Sequence, residues 1–404
     1  MTLGQQAAGG LSHYQSFFGR PGVLRLEGSA LLARLPGGMN ALVLVLVIQQ
    51  RSSLAAAGAA AATYTAGTAI IGPLRGRAAD RRGAGPALAV AGIAQAAGML
   101  GLFAAVVTSA PVVVDIVLAG IIGAALPPVN SVMRTIWSRT LDGGARRIAF
   151  SVESVMIDVI FIAGPAIVAV ITALSGARWC LILTAALTGC GCLILAAAPQ
   201  TRQWPGTTSR PHWLGAWRDG RLRRLLPVGF CFTGSISAIE LAIVAFSRAH
   251  GHPAVSGYLI ALLSVGSIVG GLAFGALNLR ASPLRQLAFA AAALGVGYAV
   301  GALAGSALVL GLILGCTGLF LAPAITLEYT AVDEVADPGV KTESFAVLNA
   351  MGQAGSATGS VLVGLAVQHG HGQRGFLIAA GLALAAGALA LVARQPASGE
   401  EKRS

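Results

Sequence analysis

The sequence predicts an all-α polytopic membrane protein of twelve transmembrane helices, arranged as two parallel six-helix repeats. Three observations carry that reading. Of 404 residues, 55% are hydrophobic and only 10% charged, whereas soluble domains carry about 25% charged residues, so the chain cannot coat a water-soluble body. Apolar segments of the roughly 20 residues that a bilayer crossing demands recur along the whole length. The second half of the chain also echoes the first at a nearly constant displacement.

Hydropathy and Gly/Pro punctuation place six spans near 30–50, 54–74, 86–108, 111–133, 147–174 and 178–198. Six more fall near 225–247, 256–278, 285–304, 306–331, 343–368 and 373–393. The chain then divides into an N-terminal segment 1–28, a first bundle 29–198, a linker 199–224, a second bundle 225–393 and a tail 394–404. Basic residues test this order independently. One set of gaps collects Arg20, Arg25, Arg75, Arg77, Arg81, Arg82, Arg134, Arg139, Arg146, Arg147, the linker arginines, Arg280, Arg285, Arg394, Lys402 and Arg403; the other receives only Arg51, Arg178, Arg248 and Arg374. Short cytoplasmic loops retain Lys and Arg, so both termini and the linker are expected in the cytoplasm, with the chain in the plasma membrane. The first 28 residues hold no apolar core of signal-peptide type, so the first span is expected to serve as the insertion signal. Trp204, Trp213 and Trp217 alternate with arginines in the linker, a pattern suited to lying on the inner leaflet.

The formal charge of +12 and pI near 10.5 would suit a nucleic-acid binder if the charge formed one patch. It sits instead in short gaps at span ends, where it orients helices and meets lipid headgroups, so no nucleic-acid partner is expected. Cys180, Cys190, Cys192, Cys231 and Cys316 lie inside spans with neither disulfide nor zinc spacing. Two His-Gly-His triplets, His250 to His252 and His369 to His371, fall in outer loops and lack the spacing of zinc sites. No metal or cofactor is expected.

The internal repeat is specific. Gly120, Gly123, Leu126 and Pro128 match Gly315, Gly318, Leu321 and Pro323, and Phe150, Val152, Met156 and Gly164 match Phe345, Val347, Met351 and Gly359, all displaced by 195. Leu35, Pro36 and Gly38 echo Leu226, Pro227 and Gly229, while Gly72 and Gly76 echo Gly271 and Gly275. An even number of spans per repeat inserts both halves the same way up, about an axis along the membrane normal, a transporter design.

At the end of the second span, Gly76, Arg77, Ala78, Ala79, Asp80, Arg81, Arg82 and Gly83 resemble the loop signature of the major facilitator superfamily, although Ala84 and Gly85 replace its later basic pair. With the topology, the midpoint linker and the repeat, the chain is identified as a member, in the branch similar to drug/proton antiporters. The resemblance implies that Gly76 and Gly83 permit close turns, that Asp80 meets the start of the eleventh helix near Thr342 to Ser344, and that Arg81 pairs with nearby acids. Gly164 and Pro165 resemble the core of the family's antiporter motif, with Ile160, Val168 and Ala169 where glycines are usual, so a plain helix kink stays open. Ala119 stands where drug antiporters of the family carry an arginine, four residues before Gly123. Asn278, Leu279 and Arg280 replace the aspartate region in the second half, so only the first half would carry the full gate.

Ionisable groups inside spans cost about 2.5–3.5 kcal/mol at a helix centre, which makes each a functional candidate. Asp158, near the middle of the fifth span with Gln353 as its repeat partner, is the first candidate for coupling, with a structural hydrogen bond as the other role. Glu240 is the second candidate. Glu153 is expected to pair with Arg146 or Arg147 at the inner rim, and Asp115 to be interfacial. Arg134 and Glu328 occupy equivalent positions in the two halves, where charge pairing would form a gate. Asn40, Asn130 and Gln353 are expected to line the cavity.

No nucleophile-base pair, phosphate loop or metal signature suggests an enzyme. The expectation is a monomeric secondary transporter that exports a small amphipathic or cationic substrate, coupled to protons. Uptake, sugar export, or a membrane scaffold or sensor that does not transport remain open.

Overall fold

The structure, a computed structural model, describes residues 14–204, 219–252, 255–277, 281–368 and 372–393. Among them the regular structure is entirely helical, one of the two forms, with the closed β-barrel, that satisfy the backbone where no water can. The helices are α1 (Val23–Arg51), α2 (Leu54–Arg82), α3 (Ala84–Val107), α4a (Val112–Ala124), α4b (Val129–Thr140), α5 (Gly143–Ser175), α6 (Arg178–Ala196), α7 (Gly220–Ala249), α8 (Val255–Ala276), α9 (Pro283–Gly301), α10a (Ala307–Gly318), α10b (Leu321–Val335), α11 (Lys341–Gln368) and α12 (Gly372–Ala393). With α4a–α4b and α10a–α10b each taken as one crossing, eleven are long and apolar enough to cross a membrane. The twelfth, α2, has the length at 29 residues, but it is rich in alanine and ends in a basic turn. A one-turn helix, Pro199–Arg202, follows α6. The linker residues 205–218, Asn278 to Arg280, His369 to His371 and the tail 394–404 lie outside the described residues, as do 1–13.

Two expectations are corrected. Spans four and ten, read as continuous, are each broken in two. Pro127 and Pro128 remove two helix donors at the first break, and Pro323 removes one at the second. The first helix also starts at Val23, well before the apolar run, because Val23, Leu26 and Ala30 are buried.

Contacts divide the chain into two compact units. The first comprises 1–149, 156–216 and 337–350; the second comprises 150–155, 217–336 and 351–404. Each half of the sequence thus contributes early turns of its own fifth helix to the other unit. Within the first unit α6 packs on α1 and α3, and α2 packs on α4a; within the second, α12 packs on α7 and α9, and α8 on α10a. The pairing scheme is the same in both. The first unit's apolar core is built from residues such as Met39, Leu44, Ile48, Tyr64, Met99, Ile122 and Leu181. Large apolar residues such as Val90, Leu174, Leu303 and Leu308 are turned outward, as on a lipid-facing surface.

Lipid offers no hydrophobic drive between helices, so close backbone packing on small residues takes its place. A Cβ on Gly123 would sit 2.0 Å from the Tyr64 carbonyl oxygen, and one on Gly67 2.5 Å from that of Gly120. The second unit repeats the contact, Gly318 against the Leu263 oxygen at 2.2 Å and Gly266 against that of Gly315 at 2.1 Å. The α1·α5 crossing, where Gly164 meets the Gly38 backbone, likewise recurs as Gly359 on Gly234 in α7·α11. The structural counterpart of Gly38 is therefore Gly234, not the Gly229 that sequence matching selects.

These contacts are backbone against backbone, so the obstacle cannot rotate away. Gly123→Ala should lower the melting temperature of the detergent-solubilised protein, by an overpacking cost of about 1–3 kcal/mol or more. Gly58→Ala, with nothing within 4 Å of the added carbon, should leave stability unchanged or raise it by up to about 1 kcal/mol, because alanine restricts the unfolded helix segment.

Candidate functional site

The polar machinery of the first unit concentrates at the end of α2. That helix runs on past its apolar stretch to Arg82 and turns into α3 through Gly83, whose φ of 89° suits a glycine. Asp80, 2% exposed, accepts hydrogen bonds from the Glu343 N–H on Oδ2 (2.8 Å) and from the Thr342 N–H on Oδ1 (3.3 Å). Both donors belong to the first turn of α11, where backbone N–H groups have no intrahelical acceptor and the helix dipole favours an anion. Gly76 makes the approach possible, since a Cβ there would lie 2.8 Å from the Thr342 carbonyl oxygen and 3.0 Å from the Glu343 Cα.

Arg77 adds a two-pronged ion pair. Its Nη2 and Nε donate to Glu343 Oε1 and Oε2 at 2.6 and 3.1 Å. Arg81, to which the resemblance gives an acid-pairing role, is exposed, and the arginine that holds Glu343 is Arg77. The two side chains share a face of α2 one turn apart, and the level of Arg77 along the helix matches Glu343. The end of α4b closes the other side: Thr342 Oγ1 donates to Thr135 Oγ1 (3.2 Å), Lys341 Nζ donates to Ser138 Oγ, and Arg139 Nη2 donates to the Pro338 carbonyl (3.0 Å). The Arg139 guanidinium also lies 4.1 Å over the Trp204 ring. Sequence reading missed Arg77, Thr135, Ser138, Arg139 and Trp204 as partners of this contact. The spacer position of Arg77 carried no signal, whereas Glu343 in the first turn of α11 could have suggested a basic partner.

At the opposite end of α4a, Arg51 Nη1 bonds Asp115 Oδ2 at 2.6 Å and its Nη2 donates to the Ala110 carbonyl at 2.8 Å. Asp115 is 0% exposed. The last residue of α1 thus reaches over the 108–111 turn and pairs with the aspartate expected at the membrane interface.

The remaining candidates lie on several helices. Asp158 is buried on α5 in the first unit, six residues before Gly164; Pro165 follows inside a helix that stays continuous from 143 to 175. Asn40 is fully buried on α1, its Nδ2 donating to Tyr64 Oη at 3.4 Å, so it faces the first unit's interior and not an open surface. Asn130 on α4b and Gln353 on α11 are half-buried, and Glu240 on α7 is exposed. Arg134 is buried in the first unit; Glu153 and Glu328 are buried in the second, beside a Ser154–Thr326 hydroxyl contact of 3.0 Å. Glu27 and Arg34, both buried on α1, join these groups; Glu27 precedes the apolar run that marks the first span, so hydropathy does not single it out. His250 stacks on Phe246 at 4.0 Å between ring centroids, and among the described residues no three His, Cys, Asp or Glu side chains group as metal ligands.

Arg77 keeps some solvent contact (19% exposed) while Glu343 is 1% exposed, so the two ends of the pair are unequal. Arg77→Gln, which strands a buried carboxylate, should destabilise the protein by about 3–5 kcal/mol. Arg77→Gln combined with Glu343→Gln should recover most of that loss in the same thermal-unfolding measurement.

A family model described as Major Facilitator Superfamily matches residues 28–356. No curated protein sequence matches significantly. Solved structures do. The chain superposes on the human organic anion transporter MFSD10 (TETRAN) with TM-score 0.74 at 17% identity, covering 92% of this chain and 100% of that one. It superposes on a bacterial homologue of the iron transporter ferroportin with TM-score 0.76 at 13% identity (92% and 98%). For the E. coli fucose:proton symporter FucP the values are 0.73 and 15% (93% and 99%).

Proposed function

The chain belongs to the major facilitator superfamily of membrane transporters, and from that premise we propose that it exports a small amphipathic or cationic compound in exchange for protons, by alternating access. The observation that carries the reading is Asp158, a carboxylate buried within a membrane helix, where a charge is costly and its neutralisation by a proton or a cationic cargo is favoured. Glu240 on α7 offers a second protonatable group. The contact at Asp80 supplies the reversible element. The start of α11 is held by charge-assisted hydrogen bonds and one ion pair, which can exchange for water when that end opens.

A second reading has its own observation. Arg34 and Arg134 are buried in the first unit, and buried guanidinium groups suit an anionic cargo. Purified protein in vesicles with an imposed pH gradient, offered ethidium as a cation and fluorescein as an anion, separates the two. Ethidium should move in the direction set by the gradient, protonophore should stop it, and Asp158→Asn should abolish its dependence on the gradient. Movement of fluorescein alone would favour the anionic cargo, and movement of ethidium indifferent to the gradient would remove proton exchange.

A further inference from the structure

We propose that Arg75 is the pin of a hinge in the fourth membrane helix, where it lets α4b swing and so release the start of α11. The inference rests on the alternating-access reading, but its test uses no cargo.

The break in α4 lacks backbone donors. Pro127 and Pro128 have no N–H, so the Gly123 and Ala124 carbonyls lose the partners four residues on. The Leu126 N–H turns back to the Gly123 oxygen (3.2 Å), which in turn leaves the Ile122 oxygen without its own. Side chains from the neighbouring helices supply donors to the Gly123 and Ile122 oxygens. Arg75 on α2 donates through Nη1 to the Gly123 oxygen (3.3 Å) and to the Leu126 oxygen, and through Nη2 to the Thr68 oxygen (2.9 Å). Thr68 Oγ1 reaches the Gly123 oxygen (3.4 Å), and Gln95 Nε2 on α3 donates to the Ile122 oxygen (3.2 Å). A break satisfied by side chains can bend without stripping its backbone, because a guanidinium fork follows two carbonyls at once.

Position makes this a hinge. Above the break, α4a is fused to α2 by the glycine contacts at Gly67 and Gly123. Below it, α4b carries Thr135, Ser138 and Arg139, the side chains that hold residues 338–342. Arg75 itself stands one residue before Gly76 and five before Asp80, on the helix that holds α11 from the other side. The second unit provides an internal control. Its break has Pro323, but Ala322 stands where Pro127 does. Phe274 occupies the α8 position that corresponds to Arg75, at the displacement that also relates Gly76 to Gly275. Leu319 and Phe320 there donate to the Cys316 and Thr317 oxygens. Within this one molecule the arginine accompanies the double proline and is absent from the single one.

Three variants test the proposal: Arg75→Gln, Pro127→Ala and the two together. In Arg75→Gln, amide exchange across residues 122–129 should be about tenfold faster and the melting temperature roughly 5 °C lower. In the double variant both should return to the parent values, because the Pro127→Ala change restores a backbone N–H within reach of the Gly123 oxygen. Lock opening is read by thiol labelling of Ala346→Cys, a position buried against Gly76, in a background lacking the five native cysteines. Labelling should be about tenfold slower with Pro127→Ala, where a stiffened α4 withholds the swing. Unchanged exchange in Arg75→Gln, or no recovery in the double variant, overturns the pin. Parental labelling in Pro127→Ala overturns the hinge.

Discussion

A backbone carbonyl in the core of a bilayer has no water to turn to, and each unpaired one costs several kcal/mol. That single cost shapes the molecule at every level. It makes the regular structure helical, and it makes each interruption of a helix a place where other residues must supply donors. At 127–128 those donors are Arg75, Thr68 and Gln95, three polar groups that a hydropathy scan counts as blemishes in α2 and α3. They are better understood as the missing N–H groups of α4.

Two kinds of contact then divide the work. Glycine crossings, with carbonyl oxygens close to where a side chain would begin, bind α2 to α4a and α1 to α5 in a way that tolerates no sliding. The contact at Asp80 is of the other kind. Its hydrogen bonds and ion pair lose little when water replaces them, provided both partners are released together. A structure that has to be stiff within its bundles and reversible at one polar junction needs both, and the sequence assigns them to different residues: glycine for the first, Asp80, Arg77 and Glu343 for the second.

Much of this was legible in the amino-acid sequence. The helical class, the approximate spans and the duplication follow from hydropathy and from glycines repeated at one displacement, because lipid solvation and backbone packing act on composition directly. The meeting of Asp80 with Thr342 and Glu343 followed from resemblance, and helix electrostatics explains it. What sequence could not show was partnership at long range. Arg77 and Arg81 look alike on paper and share a face of α2, and only the level at which α11 meets that helix puts Arg77 on Glu343. The ion pair of Asp115 with Arg51 was equally hidden, because Arg51 reads as a topology marker. The breaks in α4 and α10 were hidden by apolar runs that continue straight through the prolines, where hydropathy is blind to a lost N–H.

The two ion pairs also differ in when they can form. Arg51 precedes Asp115 by 64 residues, so at about 5–20 residues per second the ribosome delivers the carboxylate within seconds of its cation. The aspartate enters the bilayer with a neutralising partner already in place. Glu343 follows Arg77 by 266 residues, and for most of the synthesis of the chain that end of α2 has no α11 to meet. Biogenesis therefore completes the Asp115 end of the first unit early and leaves the Asp80 end unsealed until α11 arrives.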